Sequence, residues 1–208
     1  MGIFKKIGEM FSGGEKDEND YMANAEEFEK TGDYASAIGE YKKIIDSVYE
    51  GRNYQGYKHI TKKMIECYQK MGDYEKVMEL WKMQYHPADY TPKEMYELIK
   101  LLETAQKLDL VMKVYDEAGN KLLRNKVEFL MKQKKIPEAN AALNDLLRIY
   151  PESQPEILDI WMMRAKLSMG FKRWEEANRY LNKILERNAH NEEARKLKDF
   201  CLKQVSSS

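Results

Sequence analysis

Cysteine is scarce in this chain. Only Cys67 and Cys201 occur, far apart in sequence, and no secretory h-region opens the chain. That excludes a small secreted scaffold held by disulfides and predicts two structural thiols in a reducing, cytoplasmic setting. Net charge is also absent: 35 Lys and Arg balance 35 Asp and Glu. No overall basic field draws the chain onto nucleic acid, so an RNA or DNA partner is not expected. No apolar run approaches the roughly 18 to 20 residues that cross a bilayer, which argues against integral membrane association. Chemistry-bearing motifs are missing too. There is no Gly-rich phosphate loop, no nucleophile motif and no zinc spacing. His59, His86 and His190 lie far apart, without a carboxylate or cysteine at metal-ligand spacing, and are read as ordinary solvated or packed histidines. The expectation is no enzyme activity, no metal and no cofactor.

Proline and glycine are sparse as well, at five and eleven in 208 residues, and the bulk of the chain is Lys, Glu, Leu, Met and Ala. These are good helix formers, so the fold class is all-α. The first eleven residues place Ile3, Phe4, Ile7, Met10 and Phe11 on one helical stripe, which predicts a short amphipathic helix over 1–11. Residues 12–20 hold a Gly-Gly pair, mixed charge and no apolar residue, and read as a flexible linker. The stripe has three destinations: the chain itself, a partner's groove, or weak contact with a membrane surface. Only Lys5 and Lys6 flank it, which limits its membrane affinity. Lys6 stands where an N-myristoylation signal needs Ser or Thr, so no lipid assists it.

From Tyr21 the sequence repeats. Lys30-Thr-Gly-Asp-Tyr34 stacks over Lys70-Met-Gly-Asp-Tyr74, each Gly-Asp-Tyr separating two helical patterns. Gly32 and Gly72 suit a left-handed helix end, and Asp33 and Asp73 suit the N-cap of the next helix. Similarity at intervals of a few tens of residues marks a repeat architecture.

The spacing extends along the chain. Tyr34 with Ala37 recurs as Tyr74 with Val77, Leu108 with Val111, Ile136 with Ala139 and Trp174 with Ala177. A bulky residue follows four later each time, as Tyr41, Trp81, Tyr115, Leu143 and Leu181. In the preceding helices the set Tyr21, Ala25, Phe28 recurs as Thr61, Ile65, Tyr68; Met95, Ile99, Leu102; Leu123, Val127, Leu130; and Trp161, Ala165, Ser168. These residues resemble the tetratricopeptide repeat (TPR) family. The steps from Tyr34 to Tyr74, Leu108, Ile136 and Trp174 are 40, 34, 28 and 38 residues, against about 34 in the family.

The resemblance implies a right-handed α-α superhelix of about five TPR-like hairpins, at 21–51, 57–86, 91–119, 120–151 and 156–189. Gly119-Asn120 closes the third. Residues 191–204, with Ala194, Leu197, Phe200 and Cys201 along one side, make a C-terminal capping helix, and 205–208 a frayed tail.

In this family first helices line a concave, ligand-holding face. The resemblance therefore implies a peptide-binding surface of Lys62, Lys63, Glu66, Lys70, Lys93, Tyr96, Lys100, Lys121, Arg124, Asn125, Glu128 and Lys132, extended by Met131, Met162, Met163 and Met169. Met64, Met78, Met95 and Met112 interleave with apolar neighbours and read as core. Basic residues dominate the surface, which suits an acidic peptide or a chain-terminal carboxylate as much as it suits a plain solvated face. Met22 and Glu26 stand where chaperone-binding members carry a basic residue and an asparagine, so that specialisation is not expected. The function implied is a scaffold or adaptor that binds another protein or peptide. The alternative is an assembly or spacer factor held by residues 1–11 at a membrane or on a partner.

Overall fold

A computed structural model describes residues 18–50, 54–84 and 90–206; the segment 1–11, most of the 12–20 linker and His86 lie outside them. Among the described residues the chain is helical, with no strand. The α-helices are α1 (Glu18–Thr31), α2 (Tyr34–Glu50), α3 (Tyr54–Met71), α4 (Tyr74–Met83), α5 (Pro92–Thr104), α6 (Leu108–Ala118), α7 (Leu123–Lys132), α8 (Ile136–Ile149), α9 (Ile157–Gly170), α10 (Trp174–Arg187) and α11 (Glu192–Val205), with a 3-10 turn at Gly119–Leu122. The chain divides into two compact units, Met1–Val114 and Tyr115–Ser208, the boundary falling within α6.

Two helix starts differ from the sequence reading. The first helix begins at Glu18, inside the expected linker, because Glu18 and Asp20 are acidic residues favoured in a first turn. The third begins at Tyr54 rather than 57, running through Gly56. A mid-helix glycine costs about 1 kcal/mol, which packing of the rest of α3 outweighs.

One backbone device closes five helix pairs. Gly32, Gly72, Gln106, Lys134 and Lys172 all have positive φ, at 80°, 77°, 57°, 57° and 58°. At each, the residue's N–H donates three residues back, to Glu29, Gln69, Glu103, Met131 and Met169 carbonyls at 2.9 to 3.1 Å. The next N–H reaches five back, to the carbonyls of Phe28, Tyr68, Leu102, Leu130 and Ser168 at 2.9 to 3.0 Å. These paired bonds satisfy carbonyls that a helix end leaves without partners. The carbonyl of that second residue then accepts from Ala37, Val77, Val111, Ala139 or Ala177 and starts the following helix. Asp33 and Asp73 add side-chain caps, accepting from the Ser36 and Lys76 amides at 3.1 Å each. The other three turns carry Lys107, Lys135 and Arg173 there and have no such cap.

Packing follows this register. Ala37, Val77, Val111, Ala139 and Ala177 are all 0% exposed. On the preceding helices Ala25, Ile65, Ile99, Val127 and Ala165 are likewise buried. Small or β-branched residues meet where two helix axes approach within about 8 to 10 Å. Within the first unit α1 through α4 pack consecutively and α4 touches α5. Ala25, Ile38, Tyr41, Ile44, Ile60, Met64 and Cys67 form the shared core of α1, α2 and α3. Trp81 ties α4 to α5 by donating from Nε1 to the Glu94 carbonyl at 3.3 Å. Within the second unit the 3-10 turn packs on α7, and α7 through α11 pack consecutively. Tyr115 meets the Phe129 ring at 5.5 Å.

Each unit has a polar hub. In the first, Glu29 accepts from the Tyr41 hydroxyl at 2.7 Å and the Cys67 thiol at 3.5 Å, and pairs with Lys63 at 3.5 Å, joining α1, α2 and α3. Burial, reinforced by Glu29, raises the Tyr41 pKa and pushes the Cys67 thiol up to about 12. In the second unit Arg164 donates to Glu176 at 2.9 and 3.2 Å, Asn140 at 2.5 Å and Asn144 at 3.2 Å, joining α8, α9 and α10. Burial alone would raise the Glu176 pKa, but Arg164, Ser168 and Arg173 hold it below the ordinary glutamate value.

Three outcomes follow. Replacing Gln106, Lys134 or Lys172 with Gly removes left-handed strain and raises stability by about 1 kcal/mol each, seen as a higher melting temperature. Gly32→Ala meets no atom within 4 Å yet costs about 1 kcal/mol through its φ alone. Because the folded pKa of Glu176 is depressed, its stabilisation is complete above the ordinary value of about 4.3 and is withdrawn as pH falls below it. Glu176→Gln flattens that acid limb in pH-dependent urea melts.

Candidate functional site

The predicted surface residues sit on α3, α5, the 3-10 turn, α7 and α9, and they fall in different units. Lys62, Lys63, Glu66, Lys70, Lys93, Tyr96 and Lys100 belong to the first; Lys121, Arg124, Asn125, Glu128, Met131, Lys132, Met162 and Met163 belong to the second. Each group is treated separately.

On α3, Lys62, Glu66 and Lys70 recur every four residues and are all exposed. They form one stripe down the helix, since residues four apart share a face. On α5, Lys93, Tyr96 and Lys100 recur at three and four and are also exposed, Tyr96 at 40%. The Lys100 ammonium stands 4.8 Å from the Tyr96 ring centroid. Lys62, Lys70 and Lys93 have no ion-pair partner among the described residues. Lys63 differs: it is half-buried and committed to Glu29. Within this group, Lys62, Lys70 and Lys93 stand outside any ion pair among the described residues, and Lys100 stands over a ring.

The second group mixes one paired cation with two, Lys121 and Lys132, that form no ion pair among the described residues. Arg124 pairs with Asp159 at 3.0 Å and with Glu128 at 3.5 Å, so its charge is answered within the protein. Lys121 and Lys132 are exposed, while Asn125, Met131, Met162 and Met169 are half-buried. Met163 is only 8% exposed and belongs to the core rather than to an open face. The cause is the position of α9, packed on α8 on one side and α10 on the other, which covers most of its apolar circumference.

Other readings fall into place by burial. Met64 and Met95 are buried, and Met78 and Met112 half-buried. Cys67 and Cys201 are free and buried. His59 and His190 are exposed. On α11, Ala194 and Cys201 are 0% exposed, but Phe200 is 46% exposed and is not part of the buried side. It leans edge-on against Trp174, ring centroids 5.8 Å apart, near the start of α10. No described helix is long and apolar enough to cross a membrane.

The sequence reading missed two features. Gln106, Lys134 and Lys172 give no compositional hint of a left-handed conformation. Arg164 is one of many charges in the sequence, and the four-residue spacing of Asn140 and Asn144 on α8 is the one signal that could have pointed to its partners.

The class that the fold defines is an all-helical chain of consecutively packed helices. Compared by sequence, the chain matches no protein-family model and is similar to no curated protein.

The difference between Lys62 and Lys63 is testable. Lys63→Glu sets a second carboxylate against Glu29 and costs roughly 1 to 3 kcal/mol. Lys62→Glu stays within about 0.5 kcal/mol of the parent. Urea denaturation of the two variants measures both.

Proposed function

We propose that the chain is a non-enzymatic TPR-like scaffold, a right-handed stack of about five helical hairpins whose first helices receive a segment of another protein. The reading rests on the repeated turn with its constant packing register, and on one observation above the rest: Lys62, Lys70 and Lys93 are exposed cations with no ion-pair partner among the described residues, and Lys93 shares α5 with the exposed Tyr96.

Unpaired surface cations are solvated at little cost and stay available to a ligand, whereas Arg124 and Lys63 are already committed. A ligand with carboxylates spaced along an extended or helical segment gains charge-assisted hydrogen bonds from the α3 and α5 lysines. It also gains ring contact with Tyr96, an aromatic type enriched where proteins bind one another. Charge of this kind adds mainly to association rate and selectivity, and is weakened by salt.

The test uses a fluorescent oligoglutamate peptide, followed by capture of partners from lysate. The triple variant Lys62→Glu, Lys70→Glu, Lys93→Glu is expected to weaken peptide binding by about tenfold or more while leaving the melting temperature unchanged. Added salt should weaken the parent and barely affect the variant. Equal affinity for both proteins, or binding insensitive to salt, contradicts this surface.

A further inference from the structure

The described ends of the helix series are unlike. At the N-terminal end α1 exposes Asn19, Asp20, Ala23, Asn24 and Glu27, a polar face that water satisfies. At the C-terminal end large apolar side chains remain in solvent: Phe171 at 42%, Phe200 at 46%, Leu202 at 44% and Val205 at 42%. Leu202 and Val205 border the α10 residues Trp174, Glu175, Asn178 and Arg179 in a groove of about 1210 Å³. Clustered exposed apolar groups of this kind mark association surfaces.

The charges beside the groove point to its occupant. Glu175 and Arg179 are four residues apart on one outward stripe of α10, both exposed. Neither forms an ion pair among the described residues, with each other or with anything else. Opposite charges at i and i+4 are self-complementary under a two-fold axis. If α10 lies antiparallel to α10 of a second copy, with the axis crossing the exposed stripe midway between Glu175 and Arg179, Glu175 of each faces Arg179 of the other. The same operation brings like flank to like flank, so the Leu202 and Val205 edge of one α11 meets the same edge of the other. Apolar contact and charge pairing are then satisfied together. Lys172 and Arg173 line the same groove, so its lining as a whole holds more cations than anions.

We infer that the α10 and α11 face is a two-fold self-association surface whose occupant is a second copy of this chain. Two helices about 21 Å long and roughly 10 Å across offer a footprint of about 400 Å². A standard interface uses about 800 Å² per partner, so this contact belongs with the small, transient ones. The inference is independent of the peptide-binding surface on α3 and α5, and either can fail alone.

Sedimentation velocity of the full chain across the micromolar range tests it. The parent is expected to show a reversible monomer–dimer equilibrium. Glu175→Arg and Arg179→Glu, made singly, each oppose like charges twice and should raise the dissociation constant by about tenfold. The double charge swap Glu175→Arg with Arg179→Glu should restore it, which a merely structural role would not do. Leu202→Asp, also at an exposed position, should abolish the dimer while thermal melts stay unchanged. A monomer throughout the range, or a dimer indifferent to both single reversals, overturns the proposal.

Discussion

Everything in this fold depends on a pair of backbone hydrogen bonds that ends one helix and aims the next. A residue in the left-handed region lets its own N–H reach three back and the following N–H five back, and the chain leaves at a fixed angle. Ala37, Val77, Val111, Ala139 and Ala177 follow these turns at one register and are all fully buried, and for Ala37, Val77, Ala139 and Ala177 the helix that carries them packs on the one before. Were the turn to vary, this position would rotate off the contact and the repeating register would be lost. The strain of three non-glycine residues at positive φ is therefore tolerated because the packing on either side fixes it.

Legibility in the sequence tracks how each turn is satisfied. Gly32-Asp33 and Gly72-Asp73 announce themselves, since glycine relieves the left-handed strain and aspartate caps the next helix with its side chain. The equivalents Gln106-Lys107, Lys134-Lys135 and Lys172-Arg173 use only backbone bonds, which any residue can make, so composition is silent there. What remained readable was the downstream packing pair, Leu108 with Val111, Ile136 with Ala139 and Trp174 with Ala177, because burial constrains side-chain size where hydrogen bonding does not. Helix starts were less legible, as Gly56 shows: a residue poor for helices is carried along when its neighbours pack.

The candidate surface was legible as a set of residues but not as a set of charges. Lys62 and Lys63 are adjacent in sequence and alike in chemistry, yet one is solvated and the other is held by Glu29. Arg124 reads as a binding cation until Asp159, 35 positions further along, is found beside it. Which cations are free is decided by partners distant in sequence. Likewise Phe200 has a place in the apolar pattern of α11 but is left partly in solvent. Helical periodicity locates a face and does not say what the next element covers.

The claim that one turn closes all five helix pairs is tested most directly by native-state amide exchange of Asp33, Asp73, Lys107, Lys135 and Arg173. All five N–H groups should be protected to a similar degree, the three without glycine or aspartate included. Exchange of the Lys107, Lys135 and Arg173 amides at the rate of an open loop, with Asp33 and Asp73 protected, would contradict the account.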